Sequence, residues 1–293
     1  MPPAATYLST WRLDPAAALG LALVLVAYVA GVRRVRARGG DWPLRRTVGF
    51  VLAGLGSYAA ISFGFLGAES TDLRWAFTTR VALLLLVVPL LSLLGRPLDL
   101  AYAALPPRGA SSLARVVGSR PVRLLGNAIV APVAGCALFC VFLTPLAGAW
   151  RTSLLAEEAS SLVLPLLGLL FVLPIAAHTG LRSEVFIAAE FLFAFLELVL
   201  DSIPGLVLRL TGHVLDGVGA LAAPRPGWFP GPLTDQHWSG DLLWSIAEVA
   251  DLPILLVLFV RWVRSDRRHA DSADGLTEDE LDALMQQHLR GGR

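Results

Sequence analysis

Residues 75–98 read WAFTTRVALLLLVVPLLSLLGRPL. With its flanks, the run from Leu83 to Leu94 is long enough to form the middle of a helix crossing a bilayer, which takes roughly 20 mostly apolar residues. Thr78, Thr79 and Arg80 stand at its upstream end, and a guanidinium inside hydrocarbon is costly unless something answers it. The stretch therefore points to a membrane-embedded helix and leaves a question about what Arg80 faces.

The rest of the chain agrees with that reading. It has 293 residues, 55% hydrophobic and 16% charged, and its mean hydropathy is +0.65. Soluble domains average about 25% charged residues, so the composition is that of a membrane protein. All 24 basic residues are arginine, which points to a G+C-rich bacterial genome and not to nucleic-acid binding. A net charge of +1 also argues against nucleic acid, because phosphate binding needs a clustered basic surface. Two cysteines in one apolar segment imply no disulfide framework. No small-residue cleavage site follows the first apolar run, which reads as a retained helix.

Seven segments are long and apolar enough to span, at about 16–33, 47–68, 74–95, 124–148, 160–180, 184–211 and 241–263. Pro204 suggests a kink or re-entrant turn in the sixth. Six arginines fill the first loop, five the third, one (Arg182) the fifth, and six follow the last helix. Only Arg12, Arg74, Arg151 and Arg225 lie in the opposite loops. The positive-inside rule then places the N-terminus outside and the C-terminus in the cytoplasm. The expected fold is all-α: a polytopic seven-transmembrane-helix bundle over residues 1–263 with a polar cytoplasmic tail over 264–293. The loop 212–240, rich in Gly, Pro and Trp, reads as an interfacial cap. In the tail, Thr277 and Glu280 could open a short amphipathic helix, although a frayed, solvated tail fits equally well. No internal repeat suggests an inverted-repeat transporter.

Ionisable residues within membrane segments are candidates for function. Glu190, Glu197 and Asp201 share one face of the sixth segment, and the seventh carries Asp241, Glu248 and Asp251. Counting rise from the helix ends, Glu197, Asp201 and Glu248 fall in the outer half, at a depth similar to Arg80. One expectation is a polar cluster of Arg80 with Glu190, Glu197, Asp201, Glu248 and Asp251. The plainer alternative has Arg80 snorkelling to headgroups. Cys136 and Cys140 lie one turn apart on the fourth helix; they could bind Cu(I) but also suit an apolar core. The five histidines show no metal-ligand spacing, and no phosphate loop or hydrolase motif occurs.

Several stretches resemble the CtaG-like cytochrome c oxidase assembly proteins. WRLDPAAALGLALVLVAYVAGVRRVRARGGDWPLRRTVGFVLAG (11–54) is similar to their opening. VVPLLSLLGRPLDLAYAALP (87–106) carries Pro89, Gly95 and Pro97 of a family motif. FLTPLAGAW and LLGLLFVLP resemble the fourth and fifth helices. LTDQHWSGDLLWSIAEVADLPILLVLFVRWVRSDRRHAD (233–271) carries Asp235, Gln236 and Trp244 of the seventh. The order is collinear over most of the chain.

The resemblance implies seven helices and a non-enzymatic role in assembling cytochrome c oxidase, by supporting copper delivery to its catalytic subunit. The expected location is the bacterial cell (plasma) membrane, with oxidase subunits or other assembly factors as partners and no nucleic acid. Family histidine positions fall on Phe77 and Val81, and near Ser161 and Val163, none of which suits copper. The chain thus resembles a divergent member acting as scaffold, with no cofactor expected and copper left to Cys136 and Cys140 as weak candidates. Arg80 would then neutralise the acids in place of a metal. Two other readings stay open: a proton or small-solute pathway through the intramembrane acids, and a structural subunit of a respiratory assembly.

Overall fold

The computed structural model describes residues 2–127, 130–177, 198–200, 202–218 and 226–274, and all regular structure among them is helical. In chain order the helices are α1 (Ala4–Ser9), α2 (Pro15–Ala37), α3 (Leu44–Glu69), α4 (Arg74–Gly95), α5 (Pro97–Ala104), α6 (Pro107–Val117) and α7 (Arg120–Leu125). There follow α8 (Val130–Leu143), α9 (Pro145–Thr152), α10 (Leu154–Ala177), α11 (202–210) and α12 (Pro232–Asp274). Proline opens α2, α5, α6, α9 and α12. There its missing N–H costs nothing, because the first helical N–H groups have no partner within the helix.

Four of these helices, α2, α3, α4 and α10, are long and apolar enough to cross a membrane, and α8 with α9 makes a fifth if the bent pair is one span. The fourth segment, expected as one helix over 124–148, is broken. Pro145 drives Thr144 into extended backbone (φ −126°, ψ 161°). The Thr144 hydroxyl then accepts the Leu146 N–H to start α9, and the axis turns by 87°. The last helix starts at Pro232, not near 241, so Asp235 and Gln236 lie on its first turns and not in a loop. It also runs on into the polar tail as far as Asp274. Residues 184–197 and 201 of the sixth segment, about half of it, lie outside the described residues.

Helix α4 is the central pillar. Its most apolar window is 56% buried, against 17% for α2, and every residue from Arg74 to Ala82 is buried. Around it Phe77, Val81, Leu84, Leu85, Phe139, Phe142, Leu164, Leu208 and Leu243 form the main core, while α2 leaves Leu19, Leu23 and Val26 exposed. Pro89 has no N–H to give the Leu85 carbonyl four residues back, and the helix widens into a π turn over Leu83–Val87. Gly168 of α10 packs on that carbonyl so closely that a Cβ would overlap the oxygen and press on the Pro89 ring.

A second core forms at the arginine-rich end, where α2 finishes. Tyr28 stacks on Phe50 with centroids 4.0 Å apart. Its hydroxyl donates to the Gly95 carbonyl (2.9 Å) and accepts from Trp42 Nε1 (3.3 Å). At the opposite end Phe65, Leu73 and Trp75 pack with Trp228 and Phe229.

Candidate functional site

The Arg80 side chain is 2% exposed, enclosed by α2, α3 and α10. Asp14 reaches it because D-P places the aspartate at the N-cap of α2, where Oδ1 accepts the Ala17 N–H. Glu157 and Ser161 reach it because four residues is one turn of α10. Nη1 lies 3.1 Å from Glu157 Oε1; Nη2 donates to Ser161 Oγ at 2.7 Å and lies 3.4 Å from Asp14 Oδ2. Ser161 in turn donates to Asp14 (2.7 Å), and Ser70 to Glu157 (2.6 Å). Arg12, its side chain 41% exposed, reaches Glu157 from outside at 3.5 Å. Two guanidiniums thus face two carboxylates, so this cluster is neutral when all four are ionised. Asp14 and Glu157 are partners that the reading of intramembrane acids on the sixth and seventh segments did not name.

A second buried network lies at the start of α4. Arg74 Nη1 donates to Gln236 Oε1 (2.6 Å) and Nη2 to the Phe142 carbonyl (2.7 Å). Arg151 donates to Asp216 (3.1 Å) and to the Thr71 carbonyl (2.7 Å). Asp235 accepts the Arg74 and Trp75 backbone N–H groups at 2.9 and 2.8 Å, capping α4 from another helix at its positive end. Burial pushes the Asp235 carboxyl above the ordinary aspartate range, against the pull of those two N–H groups and of Arg151 and Arg74. Gln236 Nε2 donates to the His213 carbonyl (2.9 Å) and its Oε1 accepts the Leu215 N–H (2.8 Å), tying 213–216 to the bundle. The arrangement clamps the ends of α4, α8, α9 and α12 together; its arginines sit in the bundle, not in exposed loops as the sequence suggested.

The family model for the cytochrome c oxidase caa3 assembly factor (Caa3_CtaG) matches residues 26–265. The chain belongs to that family. Similar proteins include an uncharacterised protein of Mycobacterium bovis and another of Mycobacterium tuberculosis, each 25% identical over 307 aligned positions that cover 96% of this chain and 44% of the relative. An uncharacterised protein of Mycobacterium leprae is 26% identical over 94% of this chain and 44% of its own length. The chain thus spans less than half of these curated relatives. No solved structure matches it.

In this member of the family the motif residues hold the frame. Gly95 lies under Phe50, where a Cβ would collide with that ring; Pro97 opens α5, and Pro89 sets the π turn. Trp244 donates its indole N–H to Glu248 within α12. Glu190, Glu197 and Asp201 lie outside the described residues, as does the Asp251 side chain. Cys136 donates to the Leu200 carbonyl at 3.5 Å, and Cys140 is half-buried. Among the described residues no three His, Cys, Asp or Glu side chains are grouped to hold a metal.

The positions that the resemblance equates with family histidines do not form a copper donor set. Phe77 stands edge-on to Phe142 and Trp150 (5.8 and 5.4 Å), Val81 is 1% exposed in the core, and Val163 is exposed. Ser161 is committed to Arg80 and Asp14. The remaining donors are hard oxygens already paired with a guanidinium, which suits soft Cu(I) poorly.

Proposed function

We propose that this chain is a membrane-embedded scaffold in cytochrome c oxidase assembly and acts without enzymatic chemistry. The match to the assembly-factor family over residues 26–265 carries this reading. The Arg80 cluster supports a scaffold lacking the family's histidine ligands, because a guanidinium takes the place between α4 and α10 that a bound cation would need. In this reading the chain crosses the bacterial plasma membrane seven times over residues 1–263, with N-terminus outside and a cytoplasmic polar tail over 264–293. The arginine distribution supports that topology, and reporter fusions at Gly39 and Gly217 should report opposite sides. Deleting the gene should lower assembled cytochrome c oxidase in reduced-minus-oxidised spectra of membranes. Both the parent and a Cys136→Ser/Cys140→Ser variant should restore it. Normal oxidase in the deletion strain would overturn the proposal.

A second reading, a proton or small-solute pathway, draws on a different observation. Among the described residues, Thr78 and Thr79 carry buried hydroxyls with no hydrogen-bond partner, and Tyr58 and Ser62 have at most each other. Ser62 lies one turn from Tyr58 on α3, and Thr78 and Thr79 immediately precede Arg80. Such groups suit water. A deletion strain with intact oxidase and altered proton flux would favour this reading.

A further inference from the structure

At the arginine-rich end, Arg45 and Arg46 from the first turn of α3 and Arg96 after α4 surround an open pocket of about 310 Å³, floored by Gly49 and Leu94. We propose that this pocket binds the phosphate headgroup of an anionic phospholipid, with an acyl chain lying along the adjoining face of α3. Three observations converge on it.

The first is charge. Three arginines line one small pocket, and among the described residues the one carboxylate paired with any of them is Asp99, 3.6 Å from Arg96 at the surface. Basic pockets between helices at a membrane interface are matched to phospholipid headgroups, and arginine's fork fits phosphate oxygens. The second is backbone geometry. Arg96 sits at φ 45°, ψ 56°, the left-handed region, and no other non-glycine described residue has a positive φ. Glycine would take that place without strain, so the strained backbone is kept with a cation on it. The third is continuity with apolar surface. Leu94 is exposed at the pocket, and Leu44, Val48 and Leu52 are exposed along α3, a track for a chain below the headgroup. Arg46 is held in place, its guanidinium 4.9 Å from the centre of the Trp42 ring. Gly49 keeps the floor low, since a Cβ there would press on Leu94 at 3.2 Å.

The inference rests on the membrane reading above, which carbonate extraction of native membranes tests separately. If the chain resists extraction and lipid selectivity is absent, only the lipid site fails. The site itself is tested with full-length protein in detergent, by thermal unfolding and native mass spectrometry with added phosphatidylglycerol, phosphatidylcholine or inorganic phosphate. Phosphatidylglycerol should bind saturably and raise the unfolding temperature; phosphatidylcholine and inorganic phosphate should not. Each interfacial arginine contributes roughly fivefold in affinity, so Arg45→Gln/Arg96→Gln should weaken binding about thirtyfold. An Arg108→Gln/Arg115→Gln control, with the same net charge, should leave it intact. Arg96→Gly should keep or raise the lipid-free unfolding temperature while weakening lipid binding about fivefold, which separates the site from folding. Equal loss in the control pair, or equal binding of both lipids, would overturn the proposal.

Discussion

Replacing Arg80 by methionine tests whether the buried cluster holds the bundle together. The guanidinium uses its two terminal nitrogens on two different helices: Nη1 on Glu157 of α10, and Nη2 on Ser161 of α10 and Asp14 at the start of α2. Methionine fills similar volume but leaves both carboxylates without that partner. Breaking a buried pair by removing one member costs roughly 3–5 kcal/mol, because the other charge stays buried. Here Asp14 keeps Ser161 and the Ala17 N–H, and Glu157 keeps Ser70 and the half-exposed Arg12. The lower end, about 3 kcal/mol, is therefore expected.

Lysine cannot span both carboxylates with one ammonium, so Arg80→Lys should recover part of the loss and not all. Adding Glu157→Gln to Arg80→Met removes one stranded charge, and the double variant should be more stable than the summed singles by about 1–3 kcal/mol. The measurement is equilibrium unfolding of purified protein in mixed micelles, followed by far-UV circular dichroism. If Arg80→Met lies within about 0.5 kcal/mol of the parent, the range of ordinary surface substitutions, the cluster does not hold the helices and the reasoning fails.

Asp235→Ala strips the acceptor from two N–H groups at the start of α4 and should cost about 1–2 kcal/mol in the same unfolding assay, while Asp235→Asn should cost less. Gly168→Ala places a methyl on the Leu85 carbonyl and should destabilise by roughly 1–3 kcal/mol or more; Gly135→Ala, open on that side, is the matched control. Tyr28→Phe strands the Trp42 N–H and the Gly95 carbonyl and should cost about 1–3 kcal/mol, read as a lower unfolding midpoint and increased Trp fluorescence change at low denaturant.

Local patterning carried much of the helical layout. The apolar runs behind α2, α3, α4 and α10 are set by bilayer thickness and show in the sequence directly. Pro89 entered the sequence reading only as a family motif residue, and the departure of α4 from regular geometry there shows in the structure. The partners of Arg80 were not legible in the same way. Asp14 stood in the quoted WRLDP stretch and Glu157 in the E-E pair ahead of the fifth segment, but neither entered the sequence reading as a partner of Arg80. Their burial depends on how far α4 is sunk among its neighbours, which is a tertiary fact. Composition put Asp235 and Gln236 in the Gly-, Pro- and Trp-rich loop 212–240, although the family resemblance gave D-Q to the opening of the seventh helix. The break at Thr144–Pro145 was hidden because both halves are apolar, and hydropathy measures composition without direction.

Charge arithmetic ties the Arg80 cluster to the proposed role. Asp14 and Glu157 supply two negative charges at the end of the bundle that holds the N-terminus, and Arg80 and Arg12 supply two positive ones. A cation bound between α4 and α10 would leave that balance positive in a poorly solvated place, where an unmatched charge is expensive. It would also have to displace the guanidinium from Ser161, the α10 position near which the family resemblance places a histidine. In this proposal the two changes depend on each other: without imidazoles the place lacks nitrogen donors, and Arg80 already supplies the positive charge that its two carboxylates could offer a metal. A scaffold that has exchanged one for the other can keep the α2–α4–α10 contact rigid without a bound ion. In this proposal, what it offers an oxidase subunit is then a surface, and loss of Arg80 should impair oxidase assembly only as far as it lowers the abundance of the folded bundle.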